Sequence, residues 1–150
     1  MYDEYRVTSE SIEGRLGAVK RVALQFIIEG MVRRNYDEAC KVYDKDYTFN
    51  GKHRPWEDVV AWIEGLHARN PNFKFVIEDI LAEDDRVALR WKLIGGGEDD
   101  RPLGYTGGTN ILTVKDGRVV DNMQNGLFSP SWVEIAKHHF LHIQEGPPLE

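Results

Sequence analysis

Four carboxamides stand near apolar stretches of this chain. Asn110 opens "NILTV", Asn122 and Gln124 alternate in "VVDNMQNG", and Asn50 follows "YTF". A side-chain amide can donate an N–H to a carbonyl or an oxyanion, and one such donor can stabilise a transition state by roughly 3 kcal/mol. Amides are poor bases, so a reaction that moves a proton needs a titratable partner within hydrogen-bond reach. The candidates for that base are Asp79, which interrupts an apolar alternation, and behind it His53 in "GKHRP" and Asp121 beside the amides.

Other reactive residues are less well supported. In "KHHFLH", His138 and His142 lie four apart, a spacing that suits two metal ligands on one helix face. Zinc needs at least a third protein ligand, and nothing supplies one, so neither metal nor cofactor is expected. Cys40 is a lone thiol that cannot form an intrachain disulfide, and its place in an apolar helical stretch does not point to an activated thiolate. The loop "GGGEDDRPLG" lacks the strand-to-helix setting of a phosphate cradle and carries three acidic residues, but it could act as a flexible lid.

Composition narrows the partners. A net charge of −6 argues against nucleic acid and anionic membrane, which both reward clustered cations. No charged-then-apolar signal is apparent and no apolar run approaches the roughly 20 residues of a membrane span. The simplest location is the cytoplasm.

The 150 residues suit one domain, with residues 1–10 and 144–150 loose. Val19, Val22, Ala23, Phe26 and Ile27 recur at helical spacing and predict a helix over 11–33. A short helix over 36–44 carries Ala39, Cys40 and Tyr43. A third starts near Pro55 and runs to Arg69, with Val59, Trp62, Ile63 and Leu66 as its apolar stripe. The period then falls to two, predicting strands over 73–82, 86–94, 105–115 and 118–125, before a last helix over 131–142. Helices followed by a meander of strands make an α+β arrangement.

Alternation assigns faces. Phe73, Phe75, Ile77 and Leu81 share one face with Val87, Leu89, Trp91 and Leu93, and Asp79 falls among them. A one-residue change of register would put Glu78 there instead. A plain two-residue turn at Asp116-Gly117 would pair Leu112 with Asp121. A three-residue loop with Gly117 as a bulge pairs Leu112 with Val120, and puts Asn110, Leu112, Val114, Val120, Asn122 and Gln124 on one face. The second is preferred because it gathers the large apolar residues. Apolar walls with a few placed polar groups are the pattern of a ligand pocket. Val76, Ile80, Ala88 and Ile94 then fall on the outer face, which suggests a homodimer.

The stretch "FKFVIEDILAEDDRVALRWKLIGG", the later "GGTNILTVKDGRVV" and the segment "YDKDYTFNGK…WEDVVAWIEGL" resemble the SnoaL-like branch of the nuclear transport factor 2-like superfamily, over most of residues 15–135. The resemblance implies a conical α+β barrel: a curved antiparallel sheet wrapped around N-terminal helices and enclosing a pocket. It also implies one of several activities, those of polyketide cyclases, limonene-epoxide hydrolases, ketosteroid isomerases and scytalone dehydratases, or none.

Carried over residue by residue, the Arg and two Asp that hold water in the epoxide hydrolases fall on Trp91, Leu93 and Gln124, while Asn50 matches a water-holding Asn. The isomerase base falls near Asn50 or Gly51, its Tyr near Ile27 and its second acid near Asn110. The cyclase Asp falls near Gln124. The amides are kept and the charges are lost.

Two functions follow as expectations. The first is a small cofactor-independent enzyme of isomerase, cyclase, dehydratase or epoxide-hydrolase type. It would act on a hydrophobic small molecule, with Asp79, His53 or Asp121 as base. Asn50, Trp62, Leu89, Trp91, Leu93, Asn110, Leu112, Asn122 and Gln124 would form the pocket. The second is a non-catalytic binding or protein-interaction domain of the same fold. A carboxylate or histidine facing the amides across the pocket favours the first, and a purely apolar and amide-lined cavity favours the second.

Overall fold

The computed structural model describes residues 14–69, 71–95 and 106–127. The predicted helix over 131–142, His138, His142 and most of the glycine-rich loop lie outside the described residues.

Helix α1 (Gly14–Leu24) continues without a break into a π-helical segment, Gln25–Val32. Arg33 N donates to Ile28 O over 2.9 Å, the five-residue reach of a π turn. This wider turn brings Phe26, Ile27 and Ile28 into the core together. At its end Gly30 touches the next helix, α2 (Tyr36–Cys40): a Cβ there would stand 3.3 Å from Ala39 Cβ. Helix α3 (Trp56–Arg69) buries Val59, Ile63 and Leu66, as its apolar spacing predicts.

Six strands follow the order β2-β1-β6-β5-β4-β3 in one sheet. They are β1 (Tyr43–Phe49), β2 (Lys52–His53), β3 (Phe73–Glu83), β4 (Arg86–Gly95), β5 (Thr106–Lys115) and β6 (Arg118–Leu127). The sheet curves around the helices as an α+β cone and does not close, since β2 and β3 are edges. The four long strands lie where the period of two predicts them. Strands β1 and β2 do not: the second helix was expected to run on to 44, but β1 begins at Tyr43. The β1–β6 ladder is parallel, unlike the antiparallel sheet expected, and the other ladders are antiparallel.

Two bulges decide which side chains enter the cone. In β3 the register shifts between Ile77 and Asp79, leaving Glu78 as the extra residue. Alternation restarts behind it. Ile80 and Ala82 turn inward opposite Leu89 and Val87, Leu81 is 68% exposed, and Asp79 faces out opposite Arg90. This corrects the assignment of Asp79 and Leu81 to the apolar face and of Ile80 to the outer one: an inserted residue inverts every side chain beyond it.

In β6 the turn is the plain two-residue form. Asp116 and Gly117 both have positive φ, 51° and 74°, and Lys115 pairs with Arg118. The expected three-residue loop is absent, and the shift comes one step later. Val119 pairs with Val114 and Asp121 with Thr113, which leaves Val120 as the extra residue. Leu112 therefore pairs with Asn122, not Val120, and Val119 rather than Val120 is fully buried. The amides still point inward, because one bulge has the same effect on phase wherever it precedes them.

Candidate functional site

The helices and the concave face of the sheet leave a cavity of about 60 Å³, measured as the space open to the centre of a water molecule. The π-helical segment contributes Phe26, Ile27 and Met31, and α3 contributes Trp56, Val59, Trp62 and Leu66. From the sheet come Tyr47, Phe49, Phe75, Leu89, Trp91 and Leu93, with Asn110, Asn122 and Gln124 at the polar end. Trp56, Trp62, Met31 and Gln124 are half-buried, so this wall meets the surface.

Its polar groups are linked. Trp91 Nε1 donates to Asn110 Oδ1 (2.6 Å), and Asn110 Nδ2 donates to Asn122 Oδ1 (2.8 Å) and Gln124 Oε1 (3.3 Å). Asn122 Nδ2 then donates to the Tyr47 hydroxyl (3.3 Å). Asn110 and Asn122 are buried, and the chain of bonds offsets what burying bare amides would cost. Burial raises the Tyr47 pKa, the Asn122 bond opposes that and Asp121 adds to it, so the phenol stays protonated.

The structure brings Trp62, Leu89, Trp91, Leu93, Asn110, Asn122 and Gln124 together on the cavity. Leu112 is fully buried behind it, in the core. Asn50 sits one layer back and braces Gln124. Its Oδ1 accepts from Gln124 N (2.7 Å), and its Nδ2 donates to Gln124 O (3.4 Å).

None of the three expected bases lines the cavity. Asp79, turned out by the β3 bulge, accepts from Arg90 Nε (2.7 Å), and both side chains are more than half exposed. Asp121 is turned away from the amide face, where Thr48 Oγ1 donates to it over 2.6 Å. His53 is exposed on the short edge strand β2, and its Nδ1 meets Tyr47 O at 3.0 Å. Tyr47 joins the amides through its hydroxyl. Its two-residue spacing from Phe49 is the signal that it lies on a strand, and the charged run "DKD" obscures it.

Residues 24–122 match the SnoaL-like domain family. No curated protein compared with the chain matches it. Solved structures do. AclR, a candidate hydroxylase of Streptomyces galilaeus, is 20% identical over 88% of this chain and 90% of its own, with a TM-score of 0.63. A candidate polyketide cyclase of Acidithiobacillus ferrooxidans is 16% identical over 83% and 99%, with a TM-score of 0.65. An NTF2-like protein of unknown function from Cytophaga hutchinsonii is 19% identical over 72% and 88%, with a TM-score of 0.55. At these identities the likeness is one of fold.

Proposed function

The chain belongs to the SnoaL-like domain family, and from that premise we propose that it binds a small, mostly apolar molecule with one polar end set against the amides. The observation that supports this most is the make-up of the wall. Among the described residues it holds no carboxylate, histidine, lysine or arginine. General acid–base chemistry needs such a group within reach of the substrate. Tyr47 is the one titratable side chain on the described wall, and its raised pKa keeps it neutral. Isomerase, cyclase, dehydratase and epoxide-hydrolase readings therefore lack a base among the described residues of the wall, and binding is the reading this wall supports better. Among the described residues no helix is long and apolar enough to cross a membrane.

Trp56, Trp62 and Trp91 stand in the wall, so ligand entry is readable as a change in intrinsic fluorescence. Titration with small aromatic ligands is expected to give saturable quenching whose midpoint is flat from about pH 5 to about pH 9. A break inside that range would mean that a titratable group shares the site, and would restore the acid–base enzyme. No saturable quenching with any small apolar ligand would remove the pocket reading.

We also propose a homodimer through the outer face of the sheet. Leu81 lies opposite Ala88, Ala88 opposite Ile111 and Ile111 opposite Met123, in one row across four strands. Leu81, Ile111 and Met123 are all more than 40% exposed. A contiguous apolar row of this kind suits a partner surface better than water. Sedimentation is expected to show a dimer that Ile111→Lys converts to monomer. A wild-type chain sedimenting as a monomer at micromolar concentration would reject it.

A further inference from the structure

The amide chain has a sense, and one residue sets it. An indole N–H can donate but cannot accept. Trp91 Nε1 lies 2.6 Å from Asn110 Oδ1, so the Asn110 oxygen is committed to Trp91 and its amino group must face the other way. That amino group meets Asn122 Oδ1 and Gln124 Oε1, and so turns both of those oxygens towards Asn110. Their own N–H groups point onward. One from Asn122 reaches the Tyr47 oxygen, which leaves the phenolic proton to be donated elsewhere. The amide oxygens are thus turned inward along the chain. At its far end stand the Tyr47 O–H and the Gln124 amino group, and both residues line the cavity.

We propose that Trp91, through Asn110, makes this pocket selective for hydrogen-bond acceptors, and that its ligand is a neutral carbonyl compound such as an aromatic ketone. The proposal rests on the pocket reading above and adds the class of ligand. A hydrocarbon would leave the donors without a partner. A ligand group that can only donate would meet donors. A carboxylate would be buried with no cation on the described wall to compensate it, which is costly. A carbonyl oxygen accepts two bonds and carries no net charge, and its aromatic body suits a wall of indole, phenyl and leucine side chains. Trp91 is here a positioning residue: it acts on the ligand's oxygen through Asn110.

The test compares acetophenone with α-methylstyrene, the hydrocarbon in which C=CH2 replaces C=O at nearly the same shape. Two readouts are taken: the ratio of the two dissociation constants from tryptophan quenching, and the C=O stretching frequency of the bound ketone. The wild-type protein is expected to bind the ketone about tenfold tighter, the worth of one well-made neutral hydrogen bond. Its C=O stretch is expected at lower frequency than in an apolar solvent. Trp91→Phe frees Asn110 to rotate, and should bring the ratio towards one and the stretch towards its unbonded value. Tyr47→Phe removes a donor while leaving the Trp91–Asn110 bond, and should reduce both effects. The ratio is read within each variant, so a general loss of affinity does not mimic the result.

Equal binding of the two compounds by the wild-type protein, with an unshifted stretch, would overturn acceptor selectivity and leave the pocket reading standing. A preference that survives Trp91→Phe would overturn the role given to Trp91. Failure of both compounds to bind would overturn the pocket reading and this proposal together. Should Trp91→Phe not fold, an undiminished preference in the double variant Tyr47→Phe/Gln124→Met, which lacks both donors, would still overturn the proposal.

Discussion

Asn110→Ala is expected to lower the free energy of unfolding by about 3 kcal/mol, seen as a lower denaturant midpoint at unchanged slope. The side chain is 4% exposed and serves three partners: it accepts from Trp91 and donates to Asn122 and Gln124. Truncation leaves one donor and two acceptors unmatched. A buried polar group left unsatisfied costs about 1–3 kcal/mol. The cavity beside Asn110 can admit water, which favours the lower end of that range for each group.

Asn110→Asp tests the same chain by its pH dependence. The carboxylate still accepts from Trp91 but brings no proton for Asn122 or Gln124, and burial among acceptors raises its pKa above the usual value of about 3.9. A raised pKa means that the folded state holds the proton more tightly. The variant is therefore nearest the wild type below about pH 4, and loses stability as pH rises through the raised value. A loss that does not vary with pH would show that Asn110 is held for its shape and not for the direction of its bonds.

Gly108→Ala is expected to cost about 3 kcal/mol, or roughly 6–12 °C in Tm. Gly108 lies between Trp91 on β4 and Gly126 on β6. A Cβ there would stand 2.4 Å from Asn125 O, 2.9 Å from Gly126 Cα and 3.0 Å from Trp91 Cζ2. Two of these are backbone atoms of the paired strand, so the clash cannot be relieved by turning a side chain, and β6 must move. The third is the indole that orients the amides. Emission from Trp91 should shift to the red as the ring is pushed off the strand. An unchanged Tm would mean that β6 yields here at little cost, and would weaken the view that glycine is required for this close approach.

How far the sequence could be read depended on whether the information was local. The stripe Val59, Ile63 and Leu66 identifies one face of α3 whatever surrounds it, because 3.6 residues per turn is a property of the helix itself. The same holds for the period of two in the four long strands. Strand β1 was hidden because "YDKDY" spends its middle on charges, and it is a strand only because β6 lies beside it, with Thr48 opposite Asp121 and Phe49 opposite Asn122. The π-helical turn at Gln25–Val32 has no sequence signature of its own. The amides were legible as a cluster because polar residues interrupting an apolar face need a reason.

The sequence by itself determined the α+β order, the apolar faces of the helices, the four long strands and the presence of unusual amides near the end of one apolar face. Tertiary structure alone decided which of the polar residues share a cavity. A bulge is one residue without a partner, and whether a residue is unpaired depends on the neighbouring strand, not on its own type. Glu78 and Val120 are such residues. The first sends Asp79 to the solvent and to Arg90. The second, before Asn122 and Gln124, keeps those amides inside, and between them the bulges leave a cavity whose described wall is apolar groups and amides.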